Sequence, residues 1–236
     1  MNQHNRNLIL YILLGLLTSV FCVKQLGEPD VWWQIKTGQY ILENGNVPHQ
    51  DVFSYTSEST EWINVKWGTE VLMALVSNNF GPEWLMLLTW LLLGGIIYFS
   101  IRSFQYLYLI IKGEKPQDFS SSVFAFFILL AGMTFRINGR PEMVSYFFTS
   151  VFLFLFIRHR LRKDKLIWIL VPLQCLWANM HEAYGVGMVM LVIFVLDNMY
   201  LSYKSLLDKK SRNTIILISF AAILATGIHP FGLQMI

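Results

Sequence analysis

The chain has 236 residues, 55% of them hydrophobic and only 14% charged, with a net charge of +3. Because soluble globular domains carry about 25% charged residues, this composition favours a membrane protein over a soluble one. The basic residues stand in short clusters between apolar runs, so the sequence carries no nucleic-acid-binding signature.

Seven apolar runs predict membrane-spanning helices. In chain order they cover residues 8–23, 84–101, 122–135, 143–157, 166–178, 185–203 and 214–228. Several are shorter than the ~20 residues of a typical span, and they reach that length only with flanking Trp, Tyr, Arg and Lys, which suit the membrane interface. We therefore expect an all-α fold, in which residues 1–236 form a single polytopic membrane helix bundle of about seven transmembrane helices.

Lys and Arg residues in the short loops predict the orientation, because cytoplasmic loops carry an excess of positive charge. Loops 102–118, 158–165 and 204–213 are basic, and with seven spans they share one side of the membrane with Arg6. The sequence therefore predicts a multi-pass protein with a cytoplasmic N-terminus and an outer C-terminus. Arg136 and Arg140 are exceptions, because this topology places them in an outer turn.

The first outer loop, residues 24–70, is the one long segment that is not mostly apolar. Connections between elements usually need only a few residues, so we expect this large loop to fold over the outer end of the bundle and to carry the function. Its residues 30–43 have apolar side chains at helical spacing, followed by Asn44 and Gly45, which predicts a short interfacial helix. Residues 52–56 are expected to form a short strand or an extended segment.

Polar residues from several span ends converge, in this topology, on the outer membrane boundary. They are Glu28, Asp30, Arg136, Asn138, Arg140, Glu142, Asn179, His181, Glu182 and His229. Ionisable groups at membrane depth are costly and usually face a cavity or a partner. Carboxylates there can take a proton or hold a divalent cation, and arginines can grip phosphate oxygens. Together these residues predict a site for a phosphate-bearing substrate, bound by Arg136, Arg140, Glu142, Asn179, His181 and His229.

Each of these residues also has a simpler interpretation. Glu28 and Asp30 are acids that a solvated loop would carry, and the two arginines can extend to lipid headgroups. His181 and His229 can each be a hydrogen-bonded interfacial residue. No single residue is specific, so the hypothesis depends on their co-location.

The motifs of the outer loop resemble those of a known superfamily. The loop opens with Glu-Pro-Asp-Val-Trp-Trp at 28–33, and Thr-Gly-x-Tyr-Ile-Leu-x-x-Gly at 37–45 and Pro-x-x-Asp-x-Phe-Ser-Tyr-Thr at 48–56 follow. Later come Arg-Pro-Glu at 140–142, Trp-Ala-Asn-x-His at 177–181 and His-Pro-Phe-Gly at 229–232. This order is similar to an uncharacterised bacterial branch of the GT-C integral membrane glycosyltransferases, the group that contains protein mannosyltransferases and lipid A aminoarabinose transferases.

This resemblance implies a helical bundle of the bacterial inner membrane with its active site on the outer face. The donor would be a sugar on a polyprenyl phosphate, so the lipid-linked sugar and membrane lipids are the expected partners. Asp30, with Glu28 second, matches the acidic residue of the first outer loop that acts as general base or binds metal in this superfamily. Asp30 and His181 would be the candidate ligands of a divalent cation.

The main alternative is a non-catalytic membrane protein: a scaffold, a transporter component or a truncated inactive relative of the glycosyltransferases. Members of the superfamily are typically longer, so the chain is expected to be a truncated or short member, or one that needs a partner subunit to supply missing helices. A transporter is expected to show internal repeats or matching broken helices, and the sequence shows no such repeat.

Overall fold

The computed structural model describes residues 9, 12, 13, 16, 29–56, 60–114 and 139–235. Within these ranges the fold is all-helical, with no strand and with short 3-10 turns between several of the helices. The described α-helices are α1 (Pro29–Asn44), α2 (Trp67–Phe80), α3 (Leu85–Lys112), α4 (Glu142–Arg162), α5 (Leu170–Met180), α6 (Tyr184–Tyr203) and α7 (Lys209–Ala225).

Within the described part of the chain, three helical segments are long and apolar enough to cross a membrane: Pro82–Lys112, which joins a 3-10 turn to α3, and then α4 and α6. They correspond to the predicted runs 84–101, 143–157 and 185–203. Run 166–178 instead gives α5, with 11 residues, and run 214–228 gives α7, with 17. Run 122–135 and most of run 8–23 lie outside the described residues. The length and composition of these three helical segments indicate a membrane protein.

Helices α3 and α4 pack side by side and run in the same direction. Phe99 of α3 lies 5.9 Å from Phe147 of α4, measured between ring centroids, whereas Tyr106 lies 5.8 Å from Phe154. The guanidinium of Arg162 stands 5.8 Å from the ring centroid of Tyr106. Residues with higher numbers in α3 therefore contact residues with higher numbers in α4. This pattern shows that the two helices are parallel.

The core of the bundle is aromatic and centres on Trp177 of α5. Its ring is fully buried, with Phe148 stacked on it at 5.5 Å and Phe152 edge-on at 5.4 Å. Such pairs stabilise by about 0.5–1.5 kcal/mol each beyond the area that they bury. The core thereby fixes α5 against α4 and sets the position of the residues that follow Trp177.

The predicted helix over 30–43 is confirmed as α1, which ends at Asn44 and is followed by Gly45, a residue with φ of +69°. The Gly45 N–H donates to the Ile41 carbonyl at 2.9 Å and so satisfies an acceptor of the last turn. α1 packs closely on α2, since a Cβ on Gly38 would overlap the backbone carbonyl of Glu70 and touch Ala74. The two helices therefore behave as one packed pair.

The strand expected over residues 52–56 is wrong, because this segment forms bends. The Asp51 carboxylate accepts hydrogen bonds from the backbone N–H groups of Phe53 and Ser54, both at 2.9 Å. An aspartate that binds its own following backbone holds the chain in a turn and competes with a strand. The antiparallel pairing that remains is an isolated bridge between Gln50 and Glu61.

The contact at Gly38 gives the first prediction. Gly38→Ala should destabilise the protein by roughly 1–3 kcal/mol, because the added methyl group has no space against α2. Gly94→Ala is the matched control in another helix, where a Cβ would meet nothing within 4 Å. It should leave stability unchanged or slightly raised. Thermal unfolding of both variants in lipid nanodiscs checks this, and equal midpoints would contradict the tight α1–α2 contact.

Candidate functional site

The described elements of the outer loop and bundle meet at residues 64–70, here called the docking turn, where the chain enters α2. The Trp67 indole N–H donates to the Asn179 side-chain carbonyl at 2.9 Å, and the Thr69 hydroxyl donates to the Met180 backbone carbonyl at 2.6 Å. Asn179 and Met180 end α5, so Thr69 satisfies a carbonyl that the helix leaves open. Gly68 permits this approach, because a Cβ there would lie 2.7 Å from the Asn179 carbonyl oxygen.

Glu70 is the ionisable group that this docking buries most completely. Its side chain has no exposed surface, and its Oε2 accepts a hydrogen bond from the Asn64 amide at 2.5 Å. Within the described part of the chain its Oε1 has no hydrogen-bond partner. Burial raises the pKa of Glu70 to about 7, although the Asn64 hydrogen bond and the Lys66 charge act in the opposite direction. Glu70 therefore exchanges its proton near neutral pH.

Lys66 connects Glu70 to the outer loop helix. Its ammonium lies 4.6 Å from the centroid of the Trp33 ring, a cation–π geometry. The Trp33 indole N–H in turn donates to the Asp30 carboxylate at 3.3 Å. Asp30 itself is exposed in the first turn of α1. The predicted base therefore lies at the rim of the site, linked to its buried part through Trp33 and Lys66.

His181 is buried directly after α5 and is held in one tautomer. Its Nδ1 accepts hydrogen bonds from the Ala183 N–H at 3.2 Å and from the Ser145 hydroxyl at 2.8 Å. Because Nδ1 accepts, the neutral ring carries its hydrogen on Nε2. Trp177 donates to the Ser145 oxygen at 2.8 Å, which completes the chain of bonds. Burial lowers the pKa of His181, in agreement with a neutral ring, while Glu182 and Glu142 act weakly against it.

Glu142 begins α4 close enough to His181 to act on it electrostatically, and Arg140 precedes Glu142 by two residues. They form an ion pair with a nitrogen–oxygen distance of 3.8 Å, and the Glu142 carboxylate acts electrostatically on His181. An acid in the first turn of a helix is also favoured by the helix dipole. Arg140, Glu142 and His181 are thus three predicted site residues that the fold brings together.

Asn179 and His229 form a second group on the other side of the docking turn. Both line a largely apolar cavity of about 930 Å³ between α2, α5 and the segment that follows α7. The Asn179 amide donates to the Ile228 carbonyl at 2.8 Å, and His229 Nδ1 accepts the Phe231 N–H at 3.2 Å. Burial lowers the pKa of His229. These bonds tie the C-terminal segment to α5 and to the outer loop, whose His49 ring lies 4.4 Å from that of Phe231.

The chemistry of the docking turn is that of paired acid–base groups with displaced pKa values. Lys66 acts electrostatically on both Glu70 and His181, so the two belong to one electrostatic cluster. A carboxylic acid with a raised pKa and an imidazole with a lowered one are typical of sites that move protons near neutral pH. The same environment also stabilises a purely structural acid, since a protonated carboxyl tolerates burial.

Several residues of this cluster were not predicted from the sequence. They are Asn64, Lys66, Glu70 and Ser145. Glu70 immediately precedes the apolar run 71–76, and an acid at the edge of such a run is a signal that could have identified it. Of the predicted residues, Glu28, Arg136 and Asn138 lie outside the described part of the chain.

Neither a metal centre nor a relative identifies the chemistry of the site. Among the described residues, no group of three or more His, Cys, Asp or Glu side chains is arranged to hold a metal ion. In comparisons with protein-family models, with curated proteins and with solved structures, nothing matches this chain.

The raised pKa of Glu70 gives a prediction on pH dependence. The folded state binds this proton more tightly than the unfolded state, so stability falls as pH rises from about 4.5 to about 7 and then levels off. The difference corresponds to roughly 3 kcal/mol. Glu70→Gln should remove this fall and be more stable than the natural protein at about pH 8, because the amide cannot ionise.

The measurement is the thermal midpoint of both proteins across this pH range in lipid nanodiscs. Glu43→Gln is the control, because Glu43 is exposed at the other end of α1, and it should keep the fall. A parallel pH dependence of the natural protein and Glu70→Gln would contradict the raised pKa.

Proposed function

We propose that the chain is a membrane glycosyltransferase-like protein of the GT-C type, which acts at the outer face of the membrane on a polyprenyl-phosphate-linked sugar. The observation that carries the proposal is the electrostatic cluster of Glu70, Lys66 and His181 at the docking turn, adjacent to α1. A site that moves protons next to membrane-length helices suits a reaction between a lipid-linked donor and a hydroxyl acceptor.

The proposed reaction assigns a role to each group. Asp30, with Glu28 as the second candidate, takes the proton of an acceptor hydroxyl. The acceptor oxygen attacks the sugar carbon from the face opposite the phosphate, and the carbon–oxygen bond to the phosphate breaks. Arg140 and Arg136 hold the departing phosphate, which leaves on its polyprenyl chain. Glu70 acts as a positioning residue, because it is fully buried and influences the site through Lys66 and Asn64.

The proposal includes seven spans, a cytoplasmic N-terminus and a location in the bacterial inner membrane. The parallel packing of α3 and α4 supports the span count. If two consecutive spanning helices are parallel, the chain between them must cross the membrane once more in the opposite direction. The apolar run 122–135 stands between them. Basic residues in the last turns of α3 and α4 support the orientation, since those ends would be cytoplasmic.

Cysteine labelling tests this topology. In a background with Cys22 and Cys175 replaced by serine, a cysteine at position 43 should react with a membrane-impermeant maleimide added from outside intact cells. A cysteine at position 162 should react only after the membrane is permeabilised. Labelling at position 162 from outside would contradict the seven-span arrangement.

Substitutions of Asp30 and Glu70 have different predicted effects on sugar transfer. The rate of transfer is measured in membranes that contain the full chain and a radiolabelled lipid-linked sugar. Asp30→Asn should lower the rate by ~10²–10⁴ at every pH, because it removes the base. Glu70→Gln should keep the maximal rate and lose the pH dependence near neutrality. Glu43→Gln should resemble the natural protein.

Two results would reassign these roles. Full activity of Asp30→Asn would remove Asp30 from the reaction. Loss of transfer in Glu70→Gln at every pH would make Glu70 the base in its place.

A non-catalytic membrane protein is the second candidate, and a specific observation favours it. The Asn179 amide makes hydrogen bonds to Trp67, Cys175 and Ile228, and His181 Nδ1 is bound by Ser145 and Ala183. Side chains engaged in this way hold the fold together. A scaffold or transporter component, with a partner subunit supplying further helices, would use them in that capacity.

A further inference from the structure

The outer loop contains a cleft beside the docking turn to which the proposed reaction assigns no role. The cleft has a volume of about 430 Å³, and its walls include the rings of Trp33, Phe53 and Trp62 together with Thr60 and Glu61. Trp33 is 37% exposed and Phe53 is 41% exposed. Three partly exposed aromatic rings around one cleft are characteristic of a binding surface rather than of a connecting loop.

The rings stand at angles that leave a concave wall. Trp62 lies 6.3 Å from Trp33 at an interplanar angle of 57°, and 6.3 Å from Phe53 at 79°. Neither pair is stacked, so the faces do not cover one another. One face of Trp33 holds Lys66, whose ammonium is 4.6 Å from the ring centroid. The ring of Trp62 lies between the other two and is the centre of the wall.

Backbone hydrogen bonds hold the described walls of the cleft together. The Asp51 N–H donates to the Thr60 carbonyl at 2.8 Å, and the Trp62 N–H donates to the His49 carbonyl at 2.9 Å. Trp33 is carried by α1, which packs on α2. A wall held in this way loses little conformational freedom on binding, which favours affinity.

The charges of the cleft select among ligands. Among the described lining residues, the ionisable ones are two acids, Asp51 and Glu61, and none is a base. The Asp51 carboxylate is bound to the backbone of Phe53 and Ser54, so Glu61, which is exposed at the rim, is the acid available to a ligand. An acidic lining disfavours phosphate and anionic lipid headgroups. It suits a neutral ligand with hydroxyl groups, which donate to a carboxylate.

We infer that this cleft binds the ring of a neutral carbohydrate, with its C–H face on Trp62 and its hydroxyl groups toward Glu61 and Thr60. The C–H bonds of a sugar carry partial positive charge and face the negative π surface of an aromatic ring, while the hydroxyl groups stay at the polar rim. The role of this ring as part of the acceptor or donor rests on the proposed function. Binding itself requires no transfer activity.

Saturation-transfer NMR on the full chain in lipid nanodiscs tests the inference, with methyl α-mannoside and methyl β-glucoside as probes. Choline chloride and inorganic phosphate are the competing arms. At least one sugar should bind saturably, with its ring protons closest to the protein. Trp62→Ala should weaken binding at least about tenfold, and Trp62→Phe should weaken it less, because a ring face remains. Glu61→Gln, an exposed change that keeps the backbone bridge, should also weaken it.

Trp168→Ala is the matched control, because Trp168 is a similarly exposed tryptophan on the 3-10 turn that precedes α5, and it should leave binding unchanged. Saturable binding of choline or phosphate in place of both sugars would overturn the inference. So would sugar binding that Trp62→Ala and Glu61→Gln leave intact, or no saturable sugar binding at all. The two proposals fail separately, because sugar binding to the natural protein is measured whether or not the protein transfers sugar.

Discussion

The docking of residues 64–70 onto the end of α5 is the contact on which the position of α1 and α2 against the rest of the structure depends. Two hydrogen bonds from Trp67 and Thr69 hold it, and Gly68 lets the two backbones approach. α1 then packs on the far side of the same turn through Gly38. The docking thus encloses Glu70 completely, and the burial that follows is what raises the pKa of this carboxyl.

A buried acid with a pKa of about 7 is tolerated because the protonated form carries no charge. The docking turn can therefore be stable in one protonation state and strained in the other. Lys66 lies between this acid, Trp33 and His181, so a change of charge at Glu70 alters the field at each of them. This gives the site a physical route from proton concentration to the outer loop, in an arrangement that either a transferase or a structural membrane protein could use.

Local patterns in the sequence predicted several secondary-structure elements, but they did not predict which polar side chains tertiary packing buries. The period of apolar residues predicted α1, and hydropathy predicted the three segments of spanning length. The proximity of Arg140, Glu142 and His181 was predicted from their positions in the loops alone. The bends at 52–56 were missed because the Asp51 carboxylate accepts hydrogen bonds from the backbone that follows it. β-propensity does not take such a side-chain hydrogen bond into account. Glu70 was missed because its burial arises from tertiary contacts, among them the close packing of α1 on α2 at Gly38, which no local pattern contains.

The most direct measurement is difference infrared spectroscopy of the full chain in lipid nanodiscs between about pH 5 and about pH 9, with Glu70→Gln as the reference. A protonated carboxyl group gives a C=O stretch that an ionised carboxylate and an amide lack. The natural protein should show this band at the acidic end, lose it with a midpoint near pH 7, and differ from Glu70→Gln in that band. A natural protein whose spectrum shows no Glu70-dependent carboxyl band in this range would contradict a neutral, buried acid at the docking turn.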